Sequence, residues 1–311
     1  MIDVAIIGAG IAGLACARRL AAARRSPVLF DKGRRIGGRV ATRRVDGLHF
    51  DHGAQYVTGQ GEGFAGVLEE LAQSGAAAFW ETETGRTVTV GTPGMSALAR
   101  GLAKGLDVRQ NALVTAISPD TGGWLVRINE TEYRAARVVV TVPAPQVADL
   151  LGVDHPLTVP LVSVRIEPCL TLMAAVAAPA PFVTQNDPDA PLAWIAQNSS
   201  KPGRPSGDTV AWVAQAGPSF SERHLESDSA TIVTLMLPLL CDRLGIAVDQ
   251  VRHAAAHRWR YARVTAALGP PFLRSADATL YLAGDWCLGA RVEAAWASGT
   301  AAAEDLLGQT P

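Results

Sequence analysis

The sequence has no apolar run long enough to cross a bilayer; its longest, such as 169–178, is bounded by proline or charge. Cysteine is scarce: Cys16, Cys169, Cys241 and Cys287 lie far apart with no C-x-x-C pair, which argues against a zinc site or a disulfide framework. A reducing cytoplasm is therefore the expected location. Excess charge is absent too, since the formal net charge is -1 and no block of five like charges occurs. Arginine pairs such as Arg24-Arg25 and Arg43-Arg44 read as solvated surface, so neither nucleic acid nor an anionic membrane is an expected partner. The first residues carry Asp3 instead of the basic leader of a secretory signal. There is no internal repeat and no low-complexity tract.

What is present is ordinary for a globular protein: 48% hydrophobic and 18% charged residues in 311, enough for two packed lobes. Residues 2–7 form a short apolar run of the buried parallel-strand type, 12–23 have helical length, and 28–30 close a βαβ unit. Residues 40–44 and 48–51 flank Asp46-Gly47, a hairpin signal. A helix is expected at 64–74, an antiparallel meander over 113–134 and a second buried strand at 137–142. Proline and polar residues over 179–207 mark long loops around a strand-like island at 192–198. Further strands are expected at 209–214 and 251–261, separated by a helix at 229–244. Residues 279–283 return to the buried-strand type, and 291–307 form a last amphipathic helix. The first lobe thus draws on both ends of the chain.

Gly8-Ala9-Gly10-Ile11-Ala12-Gly13 sits between the first strand and the first helix, and Asp31 ends the second strand eighteen residues later. In such a turn the first glycine permits the bend, the second admits a pyrophosphate to the backbone, and the third lets helix pack on strand. The helix N-terminus favours the phosphates. Asp31 suits ribose hydroxyls and opposes a 2′-phosphate, which leaves NAD and FAD open.

Three features favour the flavin. Arg35-Ile36-Gly37-Gly38-Arg39 offers an approachable loop and two guanidiniums for phosphate or for orienting the loop. Gly284-Asp285 ends a strand and precedes a helix whose N-terminal region, 289–293, could stabilise negative charge on a reduced ring. Gly53-Ala54-Gln55-Tyr56 would let backbone run beside the isoalloxazine.

With these motifs the chain resembles the amine-oxidase-like flavoproteins, and among them the renalase-like branch, over almost its whole length. The distinctive stretches are DHGAQYV (51–57), PGMS (93–96), PLAWIAQNSSKPGR (191–204), HRWRYAR (257–263) and GDWCLGARVEAAWASG (284–299). The resemblance implies an α/β fold: a Rossmann-like FAD-binding domain of the glutathione-reductase-like type, with an inserted α+β substrate domain on an antiparallel sheet. It assigns 1–60, 92–150 and 270–311 to the first and 61–91 and 151–269 to the second. Cofactor contacts are carried onto Gly8, Gly10, Ile11, Ala12, Gly13, Asp31, Lys32, Arg35, Gly38, Arg39, Gly53, Ala54, Gln55, Tyr56, Val114, Gly284, Asp285, Arg291, Val292 and Glu293. No cysteine lies between Tyr261 and Ala283, where covalent-flavin relatives carry one, so FAD is expected without a covalent bond.

The same resemblance implies oxidation of 2- and 6-dihydro isomers of NAD(P)H to NAD(P)+, with O2 giving hydrogen peroxide. Such a ring becomes aromatic on losing hydride, so no base is required and positioning supplies most of the catalysis. As a strand, 257–263 sets His257, Trp259, Tyr261 and Arg263 on one face and Arg258 and Arg260 on the other. The first face could present flat hydrogen-bonding groups to the ring; the second could be solvated or meet phosphate. Trp194, Gln197 and Asn198 form a second candidate wall. Relatives often keep a lysine near flavin N5, but here Lys32, Lys104 and Lys201 all fall outside the segments expected over the flavin. Two alternatives remain: an amine oxidase with a Tyr261–Trp286 cage, and a nucleotide-binding flavoprotein without turnover. No metal is expected, and the assembly expected is a monomer or weak homodimer.

Overall fold

The computed structural model of the chain describes residues 1–178, 180–205 and 207–308. The expected 179–207 loop region includes positions 179 and 206, and the 270–311 part of the expected cofactor-binding domain includes 309–311; these positions lie outside the described residues.

Two sheets carry the molecule. In the first, parallel strands run in the order Leu280–Leu282, Thr131–Val140, Ile2–Ile7, Pro27–Phe30 and Asp107–Arg109. Strand Thr131–Val140 is therefore flanked by Leu280–Leu282, a segment far along the chain. Both faces of this sheet are covered, which is why its strands read as unbroken apolar runs. Val139 enters the core beneath helices Ile11–Ala22 and Val292–Gly308, whereas Val138 and Val140 face the opposite core with Trp286 and the meander residues Val126 and Ile128. The meander, Val114–Asp120 and Gly123–Ile128, runs antiparallel into Thr131–Val140, so the two expected segments 113–134 and 137–142 share one long strand.

The second sheet is antiparallel, in the order Thr184–Asn186, Leu192–Gln197, Val210–Ala216, Arg165–Val176 and Val251–Ala266. Leu170, Leu172, Ala174, Ile195 and Trp212 pack on helix Ser229–Leu244. That helix begins at Asp228, whose carboxylate accepts from the Thr231 N–H at 2.7 Å, and ends at Gly245 in the left-handed region. The opposite face presents Met173, Ala175 and Val213 to Phe50 of the hairpin Thr42–Val45/Leu48–Asp51. This packing brings the start of the 52–56 loop against the second sheet.

Several elements differ from expectation. The last strand of the second sheet continues past Tyr261 to Ala266. The strand Arg165–Val176, the hairpin Ala77–Glu81/Thr87–Gly91 and the short helix Ser96–Leu102 have no counterpart in the pattern read from sequence. A fully buried strand alternates little, and 169–178 was distinctive only as an apolar run. Between Gly284 and the last helix lies an extra turn, Asp285–Leu288.

Candidate functional site

At the first strand–helix junction, Gly10 caps helix Ile11–Ala22 without any side-chain bond, and no acidic residue occupies the first turn. A Cβ on Gly10 would meet no atom within 4 Å, whereas one on Gly13 would stand 2.0 Å from the Gly8 carbonyl oxygen. The second glycine thus leaves open space above bare N–H groups, and the third is required by packing. Gly299 has the same role for the last helix, where a Cβ would come within 2.0 Å of the Ala12 oxygen. Ile11 and Ala12 are buried in this contact. Asp31 accepts from the Ala9 N–H and the Gly33 N–H, both at 2.7 Å, which ties the two loops together. A carboxylate has about four lone-pair sites, so acceptor capacity remains for ribose hydroxyls. These features fit a dinucleotide cofactor.

Arg39 forks onto Asp285 at 2.7 and 2.6 Å and also donates to the Ala262 carbonyl at 3.1 Å. The pair joins the glycine-rich loop, the Gly-Asp strand end and the long strand of the second sheet. Lys32, Arg35 and Gly38 are exposed. Glu293, near the N-terminus of the last helix, accepts from Gln60 and Gly61 N–H groups at 3.0 and 2.7 Å, and Arg291 reaches the Gln60 side chain. Val292 opens that helix. Val114 is buried at the start of the meander.

The 52–56 loop lies against the second sheet. The Gly53 carbonyl accepts from Gln215 at 2.8 Å and from Gln55 at 3.1 Å, and a Cβ on Gly53 would fall 1.9 Å from the Arg39 oxygen. Ala54 donates to that Arg39 carbonyl at 2.9 Å. Trp259 donates to the His52 carbonyl at 2.7 Å and stacks on the His52 ring at 5.4 Å, while His257 meets Trp259 edge-on at 4.3 Å. The sequence had not singled out His52. Burial, helped by nearby His257 and Arg43, depresses the His52 pKa to about 4, and burial with Arg43 does the same for His257. Both imidazoles are neutral near pH 7. On the opposite face, Arg258 and Arg260 pair with exposed Glu226, so this face is the solvated one; Arg263 pairs with Glu167.

Trp194 meets Tyr56 at 5.9 Å between ring centres, and its indole nitrogen is buried without a partner. Asn198, expected beside it, does not join this wall. It is fully buried, donates to the His49 carbonyl at 2.7 Å and accepts from the Asp51 N–H at 3.4 Å, so it pins the hairpin to the second sheet. Trp286 is likewise withdrawn: it is 1% exposed and donates to the Val142 carbonyl at 3.0 Å. Tyr261 is half-buried further along the same strand as His257.

Beneath the loop lies a network absent from the sequence reading. The fully buried Asp51 carboxylate meets Arg204 at 2.5 Å and Lys201 at 3.3 Å, and accepts from Thr42 and from the Met95 N–H at 2.7 and 2.8 Å. Burial alone would raise its pKa, but the two cations and these bonds outweigh it and leave it lowered. Burial lowers Lys201 to about 8 despite Asp51. Lys201 also donates to Gln55 at 3.1 Å, and Gln55 turns its amide onto the Asp51 carbonyl at 2.5 Å. Three of the distinctive stretches, DHGAQYV, PGMS and SSKPGR, therefore converge on one carboxylate. That shared membership was the available signal.

Residues 64–307 match the model of the flavin containing amine oxidoreductases, and residues 6–71 match an NAD(P)-binding Rossmann-like domain. The chain belongs to the flavin-containing amine oxidoreductase family. Its cofactor is FAD; Cys16, Cys241 and Cys287 are buried and Cys169 is half-buried. Burial raises the Cys287 thiol pKa to about 12. Among curated proteins, putrescine oxidase of Kocuria rosea is 36% identical over 69 residues, which is 22% of this chain and 14% of that protein. A 4,4'-diapophytoene desaturase of Staphylococcus haemolyticus is 43% identical over 54 residues, 17% of this chain and 11% of the desaturase. The aligned stretches thus span only a small part of those relatives. Among solved structures, putrescine oxidase bound to putrescine superposes with a TM-score of 0.77 at 15% identity, covering 99% of both chains. Cyclohexylamine oxidase from Brevibacterium oxydans IH-35A superposes at 0.73 with 14% identity and the same coverage. These likenesses establish the two-sheet fold. Among the described residues no helix is long and apolar enough to cross a membrane, and no cluster of three metal-ligating side chains occurs.

Proposed function

We propose that this chain is an FAD-dependent oxidase of the renalase-like type, acting on 2- and 6-dihydro isomers of NAD(P)H. The observation that carries this reading is the wall of flat, uncharged rings, His52, His257 and Trp259, packed on the loop that would run beside the isoalloxazine. A dihydropyridine needs placement and no deprotonation, and two neutral imidazoles can position it without acting as bases. The bound flavin supplies a two-electron acceptor: hydride leaves the dihydropyridine as it becomes aromatic NAD(P)+, and O2 with that hydride and one solvent proton ends as hydrogen peroxide. Trp194 and Tyr261 complete the candidate walls for the ring, Tyr261 from the same strand as His257 and Trp259.

In this reading the N–H groups of 10–13 hold the pyrophosphate of FAD and Asp31 its ribose. Arg39 and Asp285 act as a joined pair that closes the site. Residues 1–60, 92–150 and 270–311 form the cofactor-binding unit, and 61–91 with 151–269 the substrate unit.

Amine oxidation is the second reading, favoured by the names of the relatives. Its aromatic cage loses one side, because Trp286 is buried and hydrogen-bonded inside the core. Anaerobic mixing with NADH containing its dihydro isomers decides between them. Rapid bleaching of the flavin band by the isomers, and not by pure NADH, supports the proposal. Bleaching by amines alone replaces it with the second reading, and a flavin left oxidised by every donor marks a binding protein without turnover.

A further inference from the structure

We propose that the cleft between the 77–91 hairpin and the 57–60 loop binds the ADP half of a dinucleotide substrate. This rests on the dihydronicotinamide reading and specifies its substrate as a dinucleotide, with an added subsite remote from the reacting ring. The cleft holds about 350 Å³ and is lined by Thr58, Gln60, Phe79, Arg86, Thr87 and Thr89 among others.

Its chemistry is that of a nucleotide. Phe79 is 70% exposed, while Trp80, its neighbour on the hairpin, is buried. A single exposed aromatic is ordinary, but this one shares a cleft with a guanidinium and several hydroxyls. Arg86 has no carboxylate within ion-pair distance among the described residues, in contrast to Arg258, Arg260 and Arg263. No carboxylate belongs to the cleft lining. An uncompensated arginine in a cleft without acid repels a cationic amine and favours phosphate oxygens, and an exposed phenyl ring offers a stacking face for a base.

The position suits the assignment. Arg86 stands 5.8 Å from the Tyr56 ring centre, and Tyr56 in turn meets Trp194 at 5.9 Å. One phenol ring thus separates the cleft from the Trp194 wall. The cleft is also preformed: Val57 and Thr89 exchange two backbone hydrogen bonds at 2.8 and 3.1 Å, and Glu293 holds the Gln60 and Gly61 N–H groups. Little ordering remains to be done on binding, which favours affinity.

The test is titration of the oxidised, FAD-loaded protein with NAD+ and with nicotinamide mononucleotide, read as perturbation of the flavin spectrum. Wild type is expected to bind NAD+ about 10-fold more tightly, the equivalent of ~1.4 kcal/mol. Phe79→Ala and Arg86→Gln should each weaken NAD+ toward the mononucleotide level, leaving mononucleotide binding and flavin content unchanged. Equal affinity for the two ligands in wild type, or variants that weaken both alike, overturns the subsite while the dihydronicotinamide reading stands. A protein that binds neither ligand and is not bleached by the dihydro isomers overturns that reading and the subsite with it.

Discussion

Removing the negative charge at Asp51 should cost far more than removing one of the two positive charges it serves. Asp51, Lys201 and Arg204 are 0%, 0% and 1% exposed at their side chains, so none is relieved by water. Asp51→Asn leaves two buried cations without a counterion, and breaking a buried pair in this way costs roughly 3–5 kcal/mol. Lys201→Met leaves Asp51 with Arg204 at 2.5 Å, a balanced pair, and substitutes an apolar stem of similar length. That change also leaves the Gln55 oxygen without its Lys201 donor and is expected to cost about 1–2 kcal/mol. At ~2 °C per kcal/mol for a chain of this size, the Asp51 variant should melt about 8 °C lower and the Lys201 variant about 2–4 °C lower than wild type. Urea unfolding of the FAD-loaded proteins, followed by tryptophan fluorescence, supplies the free energies. Equal losses in the two variants, or a loss under about 1 kcal/mol for Asp51→Asn, would refute the charge accounting. A second readout concerns alkaline pH. Lys201 titrates at about 8 in the folded chain against 10.5 for a free lysine, so the unfolded chain binds the extra proton between these values. Its contribution to stability therefore rises with pH across that window, and the Met variant should lack the rise.

The glycine fingerprint separates packing from ligand space. Gly10→Ala meets no protein atom and should fold normally yet lose FAD, whereas Gly13→Ala strikes the Gly8 oxygen and should lose both stability and FAD; melting temperature and flavin stoichiometry tell them apart. Acid conditions probe the histidines. His52 and His257 fall from 6.5 to about 4 on folding, so the stability they contribute is complete above pH 6.5 and lost as pH falls toward 4. His52→Asn should flatten that part of the pH–stability curve; an unchanged slope would contradict the burial of the ring. Acid precipitation of the holoprotein should release all of the flavin into the supernatant, and yellow colour retained in the pellet would contradict non-covalent binding.

The nucleotide-binding half was legible because its rules are local: a strand, a glycine turn, a helix and Asp31 follow one another in sequence. The strand at 280–282 was readable for the same reason. Legibility fell where partners lie far apart along the chain. Asp51 and Lys201 are separated by 150 positions, and nothing in the spacing of either forecasts the other. Asn198 shows the opposite failure, since an amide in a recognisable stretch was assigned to a cleft wall although both its groups are spent inside the protein. His52 escaped notice because its ring acts through Trp259 and His257, which come from a strand two hundred residues away. The strand Arg165–Val176, buried for much of its length, lacked the alternation that betrays an ordinary strand.

The pairing of the first helix with the last one constrains how the molecule is made. During vectorial synthesis, helix Ile11–Ala22 is made long before its neighbour, Val292–Gly308. Strand Leu280–Leu282 likewise follows long after its partner, Thr131–Val140. The nascent chain must therefore keep an apolar helix face waiting while the intervening residues are translated, a condition that exposes it to self-association and to chaperone capture before the cofactor pocket can close.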